Sequence, residues 1–361
     1  MLTRPYFYGC MLIIAMLFQS CQKDDDDYVP IISPVVFDLD QVPYANLSEY
    51  NFFEGNMSDL DPVYGVLEYE LVSPLFTDYA NKKRFVWMPS EVKASYVSNS
   101  ETLDFPVGSV LIKNFYYDSS HGLSSRKMIE TRIMIMKSEG WVFANYKWLD
   151  DMSDAILDPT GSFVEMNITV NAENYNFNYK IPSEPECLTC HKSIEDKPAV
   201  IGVKPQNLNK MFSYQSSGTK NQLQEWIDMG YLENNIPSNL STVVDWTDNS
   251  KSLDERVRSY LNINCAHCHS EFGHCSYRPM RFDYKDTTDP ANLGICVEAH
   301  EDVEDLMYII KPGDAENSIL PYRLKTSDQS VKMPLLGVRL KHNEAIDLIE
   351  QWINSLDPLC Q

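Results

Sequence analysis

The chain has 361 residues, 43% of them hydrophobic and 23% charged, enough for two or three domains with real cores and too apolar for a disordered chain. Fifty-two acidic residues against thirty basic ones give a formal net charge of −22, which excludes a nucleic-acid partner because phosphate binding needs a basic face. Nine cysteines is an odd number, so a framework in which every thiol pairs within the chain is excluded as well.

Residues 1–20 read as a leader. Arg4 supplies a positive start, and Cys10 to Phe18 is an apolar run of signal-peptide length, too short to span a bilayer comfortably. Gln19-Ser20-Cys21 resembles a bacterial lipobox, in which cleavage leaves Cys21 as the lipid-modified N-terminus. Residues 21–35 read as an acidic tether, with Asp24 to Asp27 solvated and extended. A lysine and several acids after such a cysteine resemble the surface-export tether of Bacteroidetes lipoproteins. That resemblance implies an outer-membrane lipoprotein, facing the periplasm or the cell surface.

Residues 36–182 have β texture. The runs 105–112, 131–136, 141–148, 167–170 and 175–179 place aromatic and β-branched residues at period two between Gly, Asn, Asp and Ser breaks. This pattern predicts an antiparallel β-sandwich. Its aromatic stripes read as half-buried strand faces, with a glycan-binding platform as the alternative.

After Pro182 and Pro185 the period changes, which predicts two mainly α modules, residues 183–250 and 251–361. Helical segments are expected at Asn221 to Met229 before Gly230, on the face Leu253, Val257, Tyr260 and Leu261, and from Asn343 through Ile346, Ile349, Trp352 and Ile353. Residues 236–250 read as a linker.

The chemistry lies in Cys187-Leu188-Thr189-Cys190-His191 and Cys265-Ala266-His267-Cys268-His269, each a C-x-x-C-H sequence, the attachment signature of c-type haem. Two thiols three positions apart can add to the two vinyl groups of one porphyrin, and the next histidine then meets the iron. Cys187, Cys190, His191, Cys265, Cys268 and His269 are therefore the expected cofactor residues, for two covalent haem c groups. Zinc needs neither adjacent histidine, a redox C-x-x-C wants a thioredoxin-like setting, and a disulfide across three residues constrains little. Two prolines just before Cys187 argue against the usual helix leading into a haem motif, so the β region should supply that wall.

A sixth ligand is commonly methionine. Met333-Pro334 resembles the methionine loop of class I cytochromes c. Gln224 to Asp228 resembles Glu350 to Asn354; Met333 lies 19 positions before Trp352 and Met211 lies 15 before Trp226, which makes Met211 the candidate for the first haem, with Met229 the alternative.

Leu261 to His269, Lys311-Pro312-Gly313-Asp314 with Ser318, Leu320 and Arg323, Met333-Pro334 and Trp352-Ile353 resemble a family of exported dihaem c-type cytochromes. Pro74 to Ala80, Phe105 to Gly108 and Glu130-Thr131-Arg132 resemble that family's N-terminal β region. The likeness spans roughly residues 60–355. It implies haem binding and electron transfer, with a dihaem peroxidase or a haem-bearing glycan- or partner-binding module as alternatives. The acidic charge points to a redox partner with a basic docking face, and lipidated Cys21 to a membrane. Among the remaining cysteines, Cys275 and Cys296 bracket a loop and could pair in an oxidising compartment, leaving Cys360 free, or Cys360 could compete for either partner.

Overall fold

A computed structural model describes residues 32–192, 197–358 and 360. The expected leader, Cys21 and the tether as far as residue 31 lie outside them. Among the described residues no helix is long and apolar enough to cross a membrane.

The N-terminal stretch is built of turns and two short paired strands, β1 (Phe53–Glu54) and β2 (Asp61–Pro62). A six-stranded antiparallel meander follows: β3 (Leu67–Tyr69), β4 (Asn81–Trp87), β5 (Val110–Tyr117), β6 (Lys127–Lys137), β7 (Gly140–Trp148) and β8 (Ala155–Leu157). Strands β9 (Ser162–Val170) and β10 (Glu173–Ile181) pair only with each other. Among the described residues, the remaining chain carries seven α-helices: α1 (Glu184–Cys190), α2 (Pro205–Leu208), α3 (Gln222–Asp228), α4 (Leu253–Asn264), α5 (Pro290–Leu293), α6 (Ile319–Lys325) and α7 (Asn343–Ser355). Two ribbons interrupt them, β11 (Met211–Tyr214) with β12 (Gly218–Asn221), and β13 (Glu298–Val303) with β14 (Leu306–Tyr308).

Alternation along the meander gives it two apolar faces. One face, with Phe85, Trp87, Val110, Ile112, Ile133, Ile135, Ala144 and Tyr146, is covered by Val42, Leu47, Tyr50, Phe52 and Leu60 from the N-terminal turns. The other, with Val86, Leu111, Met134, Trp141 and Phe143, is covered by Cys187, Val200, Val203, Leu208, Leu223, Trp226 and Ile263. From Ser33 onward the chain forms one unit.

The fold expected from the sequence is therefore corrected. The protein is β-rich, a single six-stranded sheet with small ribbons, and not a sandwich followed by two mainly α cytochrome c-like modules. The N-terminal turns cover one face of the sheet, and the two-stranded β9–β10 ribbon packs on its end through Phe115, Tyr117 and Ile129 rather than forming a full second layer. Helices α1, α2 and α3, of seven, four and seven residues, are too short to form a core of their own and spend their apolar side chains on the sheet. A helical core does form around α4 and α7, where Val257, Leu261, Ile349, Trp352 and Ile353 pack together.

Candidate functional site

The first C-x-x-C-H motif is held by the sheet. Chain direction reverses after β10 at Pro182, and Ser183 opens α1 with a capping box in which its N–H donates to Glu186 Oε2 at 2.9 Å. Pro185 falls in the first turn, where a missing N–H costs nothing. Helix α1 thus starts just ahead of the motif and contains both its cysteines. The wall beside it is β7, as expected. Asn145 Nδ2 donates to the Pro182 carbonyl at 2.6 Å and sits 3.7 Å from Cys187 Sγ, and the Phe143 ring lies 4.5 Å from the His191 ring. Gly161, at φ +71°, passes so close beneath that a Cβ would come within 2.6 Å of Ser183 N and 2.7 Å of Ile181 O.

His191 Nδ1 lies 2.8 Å from the Ala199 carbonyl, so this nitrogen carries the proton and Nε2 is left with its lone pair. Burial drives the His191 pKa down to about 3 and that of His269 down to about 4, so both rings are neutral at physiological pH.

The second motif caps α4. Ser252 and Glu255 make the capping box at its start, and the backbone N–H groups of Cys265 and His269 donate to Leu261 and Cys265 at its end. The chain then folds back tightly at Gly273, where a Cβ would stand 2.3 Å from the Cys268 carbonyl oxygen. His269 is buried, with Phe282 at 5.4 Å and its Nδ1 without a hydrogen bond.

Both motifs open into one cleft. Its empty volume is about 2710 Å³ with the solvent-open part counted, and all four motif thiols are free. Ligand atoms of Cys190, His267 and Cys268 lie within 4.8 Å of one another across it. Burial raises the thiol pKa of Cys187, and that of Cys265 to about 12, whereas a hydrogen bond from Cys268 lowers that of Cys190.

The cleft wall includes Met134, Met280 and Met333. It includes neither Met211, exposed at the start of β11, nor Met229, which packs against the sheet core. The structure thus brings the six motif residues and Met333 to one place and leaves Met211 outside. Eight Lys and Arg side chains line the cleft against two carboxylates, in a chain of net charge −22.

The loop that carries Met333 is fastened to the N-terminal half. Asp78 Oδ1 accepts the N–H groups of Arg339 and Leu340 at 2.6 and 2.7 Å, and Tyr79 donates to Glu344 at 2.9 Å. Phe76 stacks on His342 at 3.9 Å, and its N–H donates to Asn264 Oδ1 at 2.8 Å. Sequence reading missed Asp78, Asn145, Lys113, Arg132 and Met134 as parts of a site. The alternation of β6 carried a signal, since Arg132 and Met134 must share a face.

The disulfide differs from expectation. Cys296 pairs with Cys360, 64 residues apart, while Cys275 stays free and buried in the cleft wall. The fold returns the C-terminus to the ribbon end, and Cys275 is held against the second motif by its N–H to the Cys268 carbonyl at 2.9 Å.

No family model, curated protein or solved structure matches this chain.

Proposed function

We propose that this chain is a dihaem c-type cytochrome that carries electrons, with one haem attached at Cys187 and Cys190 and the other at Cys265 and Cys268. The observation that carries the reading is that two C-x-x-C-H motifs with free thiols converge on one cleft, each with a neutral histidine.

The residues present fit the group. His191 offers Nε2 because Ala199 occupies Nδ1, and the carbonyl fixes the ring plane. Apolar wall residues such as Met134, Phe143 and Ile309 would exclude water from the macrocycle, and the lysines and arginines suit its carboxylates. Bound haem supplies a one-electron ferric/ferrous couple. The chain's part is to hold the iron ligands still, so that little reorganisation accompanies each electron. Met333 lies in the cleft wall and would hold the second haem as its sixth ligand. A lipid anchor at Cys21 and a basic-faced redox partner belong to the same proposal.

A second reading is an oxidoreductase with an open first haem, favoured by the position of Met211 outside the cleft. Pyridine haemochrome analysis of protein matured with the haem-attachment machinery tests the first reading: two covalent haems per chain are expected, and none would end it. Two low-spin spectra support the carrier. One high-spin haem with hydrogen-peroxide turnover moves the assignment to the enzyme. Stoichiometric zinc without haem would assign Cys190, His267 and Cys268 to a metal instead.

A further inference from the structure

The sheet carries a line of positive charge across its cleft-side face. In register, Arg84 on β4 lies opposite Lys113 on β5, Lys113 opposite Arg132 on β6, and Arg132 opposite Asn145 on β7. These positions share the face of Leu111, Met134 and Phe143. Like charges directly opposite one another on a sheet are destabilising, and burial worsens the effect.

Only one cation of the three has a carboxylate. Arg132 donates twice to Glu130, at 2.6 and 3.0 Å. Arg84 is 6% exposed, and its Nη2 is buried with no hydrogen-bond partner. Lys113 lines the cleft and makes no ion pair or hydrogen bond; its Nζ lies 4.9 Å over the Phe115 ring, which Arg132 also covers at 4.6 Å. Nearby Lys82 is satisfied by the Ala80 carbonyl at 2.7 Å and adds no compensation. Burial, then the charges of Arg84 and Arg132, push the Lys113 ammonium pKa well down.

We propose that Lys113 and Arg132, with Asn145 at the end of the row, form a carboxylate-binding site beside the first motif, while Arg84 adjoins Lys113 in register without lining the cleft. It rests on the haem reading for its first source of carboxylate, the propionates of the haem attached at Cys187 and Cys190. A free small carboxylate bound next to that haem is the other source. A singly charged carboxylate there favours the ammonium form of Lys113 and offsets the repulsion along the row, where Glu130 is the acid that the described residues bring to Arg132. An alternating strand needs no cation at three adjacent inward positions, so the arrangement is costly unless an anion occupies it.

Potentiometric titration of the haem-loaded full chain tests this, with Lys113→Met, Lys113→Arg and, as control, Lys285→Met at an exposed position outside the cleft. Loss of a cation beside a haem favours the ferric form. Lys113→Met should therefore lower the midpoint potential of one haem and leave the other unchanged. Lys113→Arg should restore it, and the control should not move it. If the haem supplies the carboxylate, sodium acetate in place of chloride at constant ionic strength leaves the potentials alone. If the ligand is free, acetate shifts the wild-type potential and not that of Lys113→Met. Unchanged potentials in Lys113→Met together with no acetate response overturn the site. Should the haemochrome assay find no haem, acetate stabilisation of the wild-type chain against heat, absent in Lys113→Met, would keep the site while the haem reading fell; no stabilisation would sink both.

Discussion

Gly273 is needed for space rather than for backbone freedom. A methyl group there meets the Cys268 carbonyl at 2.3 Å, and the backbone on both sides has to shift. Gly273→Ala should displace the second motif and reduce haem attachment from two to one per chain, read by haemochrome stoichiometry; two haems in the variant would refute the constraint. Asp78 is governed by charge. Burial raises its pKa from 3.8 to about 6, in spite of the two N–H groups it accepts. The folded state therefore holds this proton more tightly than the unfolded chain does. The stabilisation is complete below pH 3.8 and disappears as pH rises through 6, so ionised Asp78 costs about 3 kcal/mol at pH 8. Asp78→Asn keeps an acceptor for Arg339 and Leu340 without the charge. It should be more stable than wild type at pH 8 by up to that amount, with the gap closing toward pH 4, in urea unfolding at several pH values. An unchanged gap across the range would mean that Asp78 is not the titrating group. The motif cysteines and histidines were legible as a candidate site because local spacing sets them apart, and the structure brings them to one cleft. Asp78, Gly273 and Lys113 were not, because each acts on a partner that spacing does not reveal: residues more than 250 positions away, a backbone turn, or a neighbouring strand.

Among the elements, α7 carries the helical core. Trp352 is 2% exposed between α4 and the segment around Ile309, and its truncation to Ala should cost about 3–5 kcal/mol in denaturant unfolding. A loss below 1 kcal/mol would mean the core collapses to fill the space. The Cys296–Cys360 disulfide anchors the tail that follows α7. Closing a loop of 64 residues removes about 4 kcal/mol of unfolded-state freedom, so Cys360→Ser should lower the midpoint of oxidised protein toward that of reduced wild type. Equal midpoints for oxidised wild type and variant would show that the bridge contributes nothing. The likeness of Gln224–Asp228 to Glu350–Asn354 was real at the level of burial, since Trp226 and Trp352 are both enclosed. Their surroundings differ: Trp226 lies against Tyr69 and Phe105 from the sheet region, Trp352 within the helical core. Periodicity identifies a face that will be buried and is silent about what buries it. That silence made two similar helices read as two similar modules.

For the molecule as a whole, the strands and the α4 and α7 helices were readable, and the error lay in assembly. Most of the sheet's two apolar faces, expected to meet a second sheet, instead meet short helices and turns. A fragment of residues 183–361 should consequently fail to fold alone, since Val200, Leu208, Leu223 and Trp226 would lose the sheet they cover. Strong dye binding by exposed apolar surface and loss of near-ultraviolet dichroism are expected; a cooperative melt of the fragment would restore the modular reading. At the same scale, if the proposed basic redox partner exists, a net charge of −22 makes their association slow steeply as salt rises. A rate constant indifferent to ionic strength, by stopped flow, would remove charge steering from the account.

The fastening of the Met333 loop to the N-terminal half has a consequence for biosynthesis. Asp78 meets Leu340 and Tyr79 meets Glu344 across separations of 262 and 265 residues, and Phe76 meets Asn264 across 188. During synthesis, Cys187 and Cys265 emerge long before the stretch that closes over them. Contacts of such sequence separation form slowly, because the chain must first give up the freedom of a long loop. The nascent protein thus keeps both motifs open until its last segment arrives. On the proposed haem reading, slow closure would set a waiting period in which an attachment enzyme reaches the thiols, ending when the tail docks.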